Sequence, residues 1–260
     1  MSSVQQAFAD ATRPLLVGYL PAGYPTYDIA VEAMCAMVEV GVDIVEIGLP
    51  YSDPLMDGPV IEAAVDLALK RGTRTADVLR TVAAVAATGA PTFIMSYWNP
   101  LEQYGVPRLA KDLAAAGGAG LITPDLLPEE AGEWIAAAAE NELDPVFLVA
   151  PSSTTERIRS TAAATRGFIY AASTMGVTGA RDVVASSAPV LVARVREQTD
   201  LPIGVGLGVS SGAQAAEVGQ YADAVIVGTA LVRALGEGGV DGVRALATDL
   251  AAGVRSVTRA

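Results

Sequence analysis

Histidine is absent from all 260 residues, which removes the commonest general base and the commonest metal ligand. Lysine occurs only as Lys70 and Lys111. Lys70 precedes Arg71 and Gly72 at what reads as a helix terminus, and Lys111 falls on a polar helix face. Neither is placed near a strand end, where a Schiff base would need it. The one cysteine, Cys35, excludes an internal disulfide and fits a reducing compartment. Lying among Met34, Met37 and Val38, it reads as helix core. A metal site would have to be built from carboxylates. No metal is expected, although an all-oxygen magnesium site stays open.

Basic residues are scarce too: 17 against 29 acids, for a formal charge of -12. That balance repels nucleic acid and anionic membrane at long range, so neither is expected as a partner. No apolar run is long enough to span a bilayer, and the polar stretch from Met1 to Arg13 is no signal peptide. A soluble, cytoplasmic protein is expected. With 52% hydrophobic and 18% charged residues, the composition argues for a well-buried body without linkers, one domain over residues 1–260.

What is present is repetition. Short apolar runs rich in β-branched residues recur at Leu15 to Leu20, Ile44 to Leu49, Thr92 to Tyr97, Gly120 to Thr123, Val146 to Ala150, Phe168 to Ala171, Ile203 to Gly206 and Ala224 to Val227. They are continuous, as strands of a parallel sheet covered on both faces are. Helical patterns lie between them. Ile29, Ala33, Met34, Met37 and Val38 return at helix spacing, and Ala131 to Asn141 is built of helix formers. Thr154 with Glu156, and Ser210 ahead of Gly212 to Ala216, read as capped helix starts. Val4 to Thr12 reads as an extra helix before the first strand, and Val240 to Arg255 as the last helix. Eight β-α units fit either a closed (β/α)8 TIM barrel or an open doubly wound sheet. The barrel is favoured, because the first strand ends in a proline-broken LPAGYPT and not in a dinucleotide-binding glycine turn.

Glycine-rich turns come late instead, at GVGLGVSS (204–211) and VIVGTAL (225–231). Loops after the seventh and eighth strands of a barrel often hold phosphate through backbone N–H groups and a helix N-terminus. Gly208, Gly228 and Thr229 stand there, with STMGVTGA (173–180) as a further loop able to close over a ligand. The plainer reading is that these glycines only ease tight turns. In a chain this poor in cations, backbone donors are the available anion holders.

Two carboxylates stand out. Glu46 lies inside a strand buried on both faces, an expensive place unless it has a partner or a task. The ordinary alternative is an ion pair with a distant arginine. The functional one is a carboxyl whose raised pKa lets it exchange protons near neutral pH. Asp57 lies in the proline-stiffened loop YSDPLMDGP (51–59), either as a turn former or as a second acid at the barrel mouth. Asp53 reads as structural or interfacial. Tyr19 and Tyr170 end strands one and six, as barrel filling or as walls of an apolar pocket. The surviving chemistry is carboxylate proton transfer on a phosphorylated substrate that absorbs the developing charge.

VEIGLPYSDPLMDGP, YWNPLEQYG (97–105), GVTGA, GLGVSS and VIVGTAL, in this order, resemble the tryptophan synthase alpha chain family from about Leu15 to Leu235. The resemblance implies a (β/α)8 barrel and retro-aldol cleavage of indole-3-glycerol phosphate to indole and glyceraldehyde 3-phosphate. It implies that Glu46 shuttles the proton and that Asp57 binds the indole N–H. Tyr170 becomes the strand-six tyrosine, and Thr178 the loop threonine that closes toward Asp57. Gly179, Gly208, Gly228 and Thr229 align with phosphate binders. It further implies a pyridoxal-phosphate beta chain as partner in a tetramer of two alpha and two beta chains, with no cofactor in this chain. The loop of Asp53 and Pro54 becomes a candidate docking surface. Thr174 stands in place of an arginine and Leu207 in place of an aromatic residue. A free-standing indole-releasing lyase and a non-catalytic phosphate-binding barrel remain alternatives.

Overall fold

A computed structural model describes residues 2–172, 187–206 and 208–258. Eight parallel strands close into a barrel in the order β1-β2-β3-β4-β5-β6-β7-β8. They are β1 (Leu15–Pro21), β2 (Ile44–Gly48), β3 (Thr92–Met95), β4 (Gly120–Thr123), β5 (Asp144–Val149), β6 (Ile169–Ala172), β7 (Ile203–Gly206) and β8 (Ala224–Val227). The barrel closes where Leu15 to Gly18 of β1 pair with Ala224 to Val227 of β8. The open doubly wound alternative is thereby excluded.

The first half of the chain supplies α1 (Ser3–Asp10), α2 (Tyr27–Val40), α3 (Pro59–Lys70), α4 (Thr75–Ala86), α5 (Trp98–Tyr104) and α6 (Val106–Ala115). The second half supplies α7 (Gly132–Glu140), α8 (Thr155–Ala164), α9 (Ser187–Arg196), α10 (Gly212–Gly219) and α11 (Thr229–Arg255). Their ends follow local chemistry. The Thr26 side chain accepts from the Ile29 amide to start α2, which Gly41 ends in the left-handed conformation at φ 115°. Pro59 sits in the first turn of α3, where its missing N–H is no loss. Ser211, and not Ser210, caps α10 by accepting from Gln214. The last helix is longer than the Val240 to Arg255 pattern, running from Thr229 across a kink at Gly239, φ 60°. Cys35 is half-buried on α2, which corrects its reading as core.

Side-chain alternation sorts the barrel lumen into layers. Ile44, Phe93, Ile122, Val146 and Phe168 fill the end where the strands begin. The extra helix α1 packs there through Val4 and Phe8, the Phe8 ring 5.8 Å from that of Phe168. A capping box between Ser2 and Gln5 starts α1, and the Ser2 hydroxyl donates to buried Asp144 on β5. The lumen is therefore packed at one end. Chemistry is left to the other, where the strands terminate.

Candidate active site

Every strand sends at least one residue, from itself or from the loop after it, into a pocket at that open end. Glu46 is one residue pair above Ile44 on the inward face of β2 and is wholly buried. Neither of its carboxyl oxygens has a hydrogen-bond partner, and no arginine or lysine pairs with it, among the described residues. The ion-pair reading of Glu46 therefore fails there. Loss of water, with nothing to offset it, pushes its pKa up from 4.5 to about 8.

Asp57 reaches the same pocket from the loop between β2 and α3. Burial pushes its pKa up, a hydrogen bond from the Tyr97 hydroxyl pulls it back, and the charge of Glu62 raises it again. Pro54, Gly58 and Pro59 stiffen this loop, and the Met56 amide is held by the Tyr97 oxygen at 2.9 Å. Asp57 is thus more than a solvated turn former. Asp53 is exposed and, among the described residues, accepts only from its neighbour Ser52.

Tyr19 and Tyr170 flank Glu46 in the lumen layer at the mouth. Both hydroxyls are pushed well above their ordinary pKa by burial first, then by nearby charges that include Glu46, so both are neutral donors. Glycines make room for the rings: a Cβ on Gly48 would lie 2.3 Å from the Tyr19 hydroxyl, and one on Gly206 2.9 Å from that of Tyr170. Both readings of the tyrosines apply, since they fill the barrel top and wall the pocket.

Gly208, Gly228 and Thr229 line the rim beside Tyr19 and Tyr170. Gly208 has φ 78°, a conformation that side chains resist. Gly228 caps α11, so the first amides of that helix lack intrahelical acceptors and offer an anion site at the mouth. Among the described residues no lysine or arginine lines the pocket. Thr178 and Gly179, with the departures Thr174 and Leu207, lie outside the described residues.

Sequence reasoning gave no role to Tyr97, which touches Asp57, or to Met56, Ile61 and Leu49, which line the apolar side. The YWNPLEQYG stretch contained the signal, but a phenol's partner 40 positions away cannot be read from spacing. Among the described residues no group of three or more His, Cys, Asp or Glu is placed to hold a metal ion. No helix among them is long and apolar enough to cross a membrane.

A closed barrel that carries, among its described residues, a buried and unpaired carboxyl at the mouth and a glycine-lined rim has the build of a barrel enzyme. The sequence model of the tryptophan synthase alpha chain matches residues 6–258. A tryptophan synthase alpha chain of Nocardia farcinica is 60% identical over 260 residues, covering 99% of this chain and 97% of that one. That of Mycobacterium intracellulare is 60% identical over 246 residues, covering 95% and 91%. A solved structure of Mycobacterium tuberculosis tryptophan synthase superposes with a TM-score of 0.94 at 56% identity, over 98% of each chain. An alpha chain from Legionella pneumophila, at 28% identity, still gives 0.90 over 99% and 98%. The chain belongs to the tryptophan synthase alpha chain family.

Proposed function

We propose that Glu46 and Asp57 carry the reaction of this chain, with the rim of α11 gripping the phosphate. The chain is a lyase of tryptophan biosynthesis that cleaves indole-3-glycerol phosphate. The observation that carries the assignment is the state of Glu46: fully buried, unpartnered among the described residues and with a pKa raised to about 8. Near neutral pH such a carboxyl holds a proton it can deliver, then serves as the base once it has done so.

Glu46 gives its proton to the indole carbon that bears the glycerol chain, leaving the ring positively charged at nitrogen. The Asp57 carboxylate accepts the indole N–H and stabilises that charge across a water-poor pocket. Glu46, now ionised, takes the proton of the adjacent glycerol hydroxyl. The oxygen forms the aldehyde carbonyl as the carbon–carbon bond breaks, and the bond electrons restore the aromatic ring. Indole and glyceraldehyde 3-phosphate result, and Glu46 ends as it began. Tyr19 and Tyr170 wall the indole ring, and Gly208, Gly228 and Thr229 present amides to the phosphate. Thr178 and Gly179 are assigned to the same substrate from their motif alone.

The same reading takes residues 1–260 as one domain, located in the cytoplasm. It gives the chain a tryptophan synthase beta chain as partner, two of each in a tetramer, with pyridoxal phosphate bound only by the beta chain. The exposed loop after β2, where Leu55 is 72% exposed, supports a docking face. The test is to incubate the purified chain with indole-3-glycerol phosphate and follow indole, with and without a beta chain. Release that the beta chain accelerates supports this reading, whereas substrate binding without any indole in either mixture would leave a non-catalytic barrel.

A further inference from the structure

Tyr97 follows β3 and is nearly buried, 7% exposed, with its ring turned back over the loop that carries Asp57. Its phenol oxygen accepts the Met56 amide at 2.9 Å. The same hydroxyl donates to Asp57 Oδ1, also at 2.9 Å. With its one proton committed to the carboxylate, the oxygen is free to take the amide, so one atom ties two successive residues of the loop. The ring itself is held: Tyr51 lies against it at 5.7 Å between centroids, and Asn99 of α5 donates to the Tyr51 hydroxyl at 3.1 Å. Asp125, after β4, in turn accepts from the Trp98 amide at 2.9 Å, fixing the start of α5.

Among the described residues Asp57 has no cation to hold its charge. Among the described residues the titratable groups around it are Glu46 on β2, Tyr19 on β1, Glu62 on α3 and Tyr97 itself, and none of the pocket's described lining is lysine or arginine. Burial and Glu62 both favour the neutral acid, while the Tyr97 hydrogen bond favours the carboxylate. Tyr97 stays a donor, because burial pushes its own pKa far above the ordinary phenol value. Asp57 Oδ2 makes no hydrogen bond among the described residues.

We propose that Tyr97 is a positioning residue for the cleavage: its hydroxyl locks Asp57 by Oδ1 and the loop by the Met56 amide, leaving Oδ2 for the indole N–H. The proposal rests on the reading of Asp57 as the group that meets the ring nitrogen.

The test compares Tyr97→Phe and Asp57→Asn in the full chain, by indole release from indole-3-glycerol phosphate across a pH series. Tyr97→Phe keeps the ring and removes one oxygen. We expect kcat to fall by about tenfold or more, the scale of a lost hydrogen bond to a charged group, with KM little changed. The acidic limb of the profile, set by Asp57, moves to higher pH, and the alkaline limb, set by Glu46, stays. In the double variant the loss equals that of Asp57→Asn alone, since the phenol acts only through the carboxylate. Equal loss at every pH, or losses that multiply in the double variant, would reduce Tyr97 to packing. Wild-type behaviour of Tyr97→Phe beside a crippled Asp57→Asn overturns the positioning role alone. Full activity of Asp57→Asn overturns the reading of Asp57 and this proposal with it.

Discussion

Tyr19 and Glu46 are partners across the ladder of β1 and β2, so a phenol and a carboxyl emerge side by side on the inner wall of the barrel. The phenol is neutral and the carboxyl has no hydrogen bond among the described residues, so neither neutralises the other. An acid in that position trades folding stability for a proton that can be given away near neutral pH. Two predictions follow from that trade, one for rate and one for stability.

Glu46→Gln keeps the shape of the side chain and removes its exchangeable proton. We expect indole release to drop by about a hundredfold or more, the usual scale for an acid–base group, with the barrel intact by circular dichroism. Phosphate-ester binding, measured by calorimetry, should survive. A variant that still released indole at the parent rate would take the proton shuttle away from Glu46.

The folded chain binds the Glu46 proton more tightly than the unfolded chain does. Its contribution is therefore fully present below the ordinary value of 4.5 and is lost as pH climbs to about 8. Over that window the parent should lose stability relative to Glu46→Gln by up to about 1.4 kcal/mol per pH unit, and no further above it. Urea unfolding of both chains at several pH values gives the difference directly. Asp57 and Asp144, also raised by burial, are common to both and cancel.

The rim glycines should separate by function. Gly208→Ala places a side chain at φ 78° and distorts the turn, so phosphate esters should bind more weakly while indole binds as before. In Gly228→Ala the new methyl meets the Tyr19 ring at 3.3 Å, and both halves of the substrate should suffer. Competition by inorganic phosphate and by indole, each against the cleavage reaction, measures the two separately. Equal weakening by Gly208→Ala would mean that this glycine serves packing only.

Phe8→Ala empties the aromatic seat on Phe168 at the far end of the barrel. A loss of about 3–5 kcal/mol in urea unfolding is expected, as for buried phenylalanines generally. Turnover per folded molecule should be unchanged, because Phe8 and the pocket lie at opposite strand ends. A variant with normal stability would show that α1 is dispensable to the barrel.

Much of the architecture was legible because strands covered on both faces leave continuous apolar runs. Gly120 to Thr123, Ile203 to Gly206 and Ala224 to Val227 match observed strands at both ends. The misses have local causes. β5 begins earlier than Val146, at Asp144, because Asp144 and Pro145, a pair that resembles a turn, are aligned against Gly120 and Leu121 of β4. β3 stops at Met95, two residues short of Tyr97, which leaves the ladder and reaches the loop of Asp57. Glu46 was conspicuous as a charge in an apolar strand. Its lack of a partner among the described residues was not, since an arginine can approach from any of seven other units. Tyr97 went unassigned for the same reason, as its meaning lies in Met56 and Asp57, and nothing near it in the chain announces them.

The helix that seals the strand-start end of the barrel also determines traffic. With phenylalanines stacked beneath Glu46, the described residues leave no passage along the barrel axis. On the function proposed above, substrate arrives and both fragments depart across the threshold at the strand ends. Whatever covers that threshold, be it a loop or a docked neighbour, therefore governs entry and exit together, and an indole leaving through such a cover is delivered and not spilled.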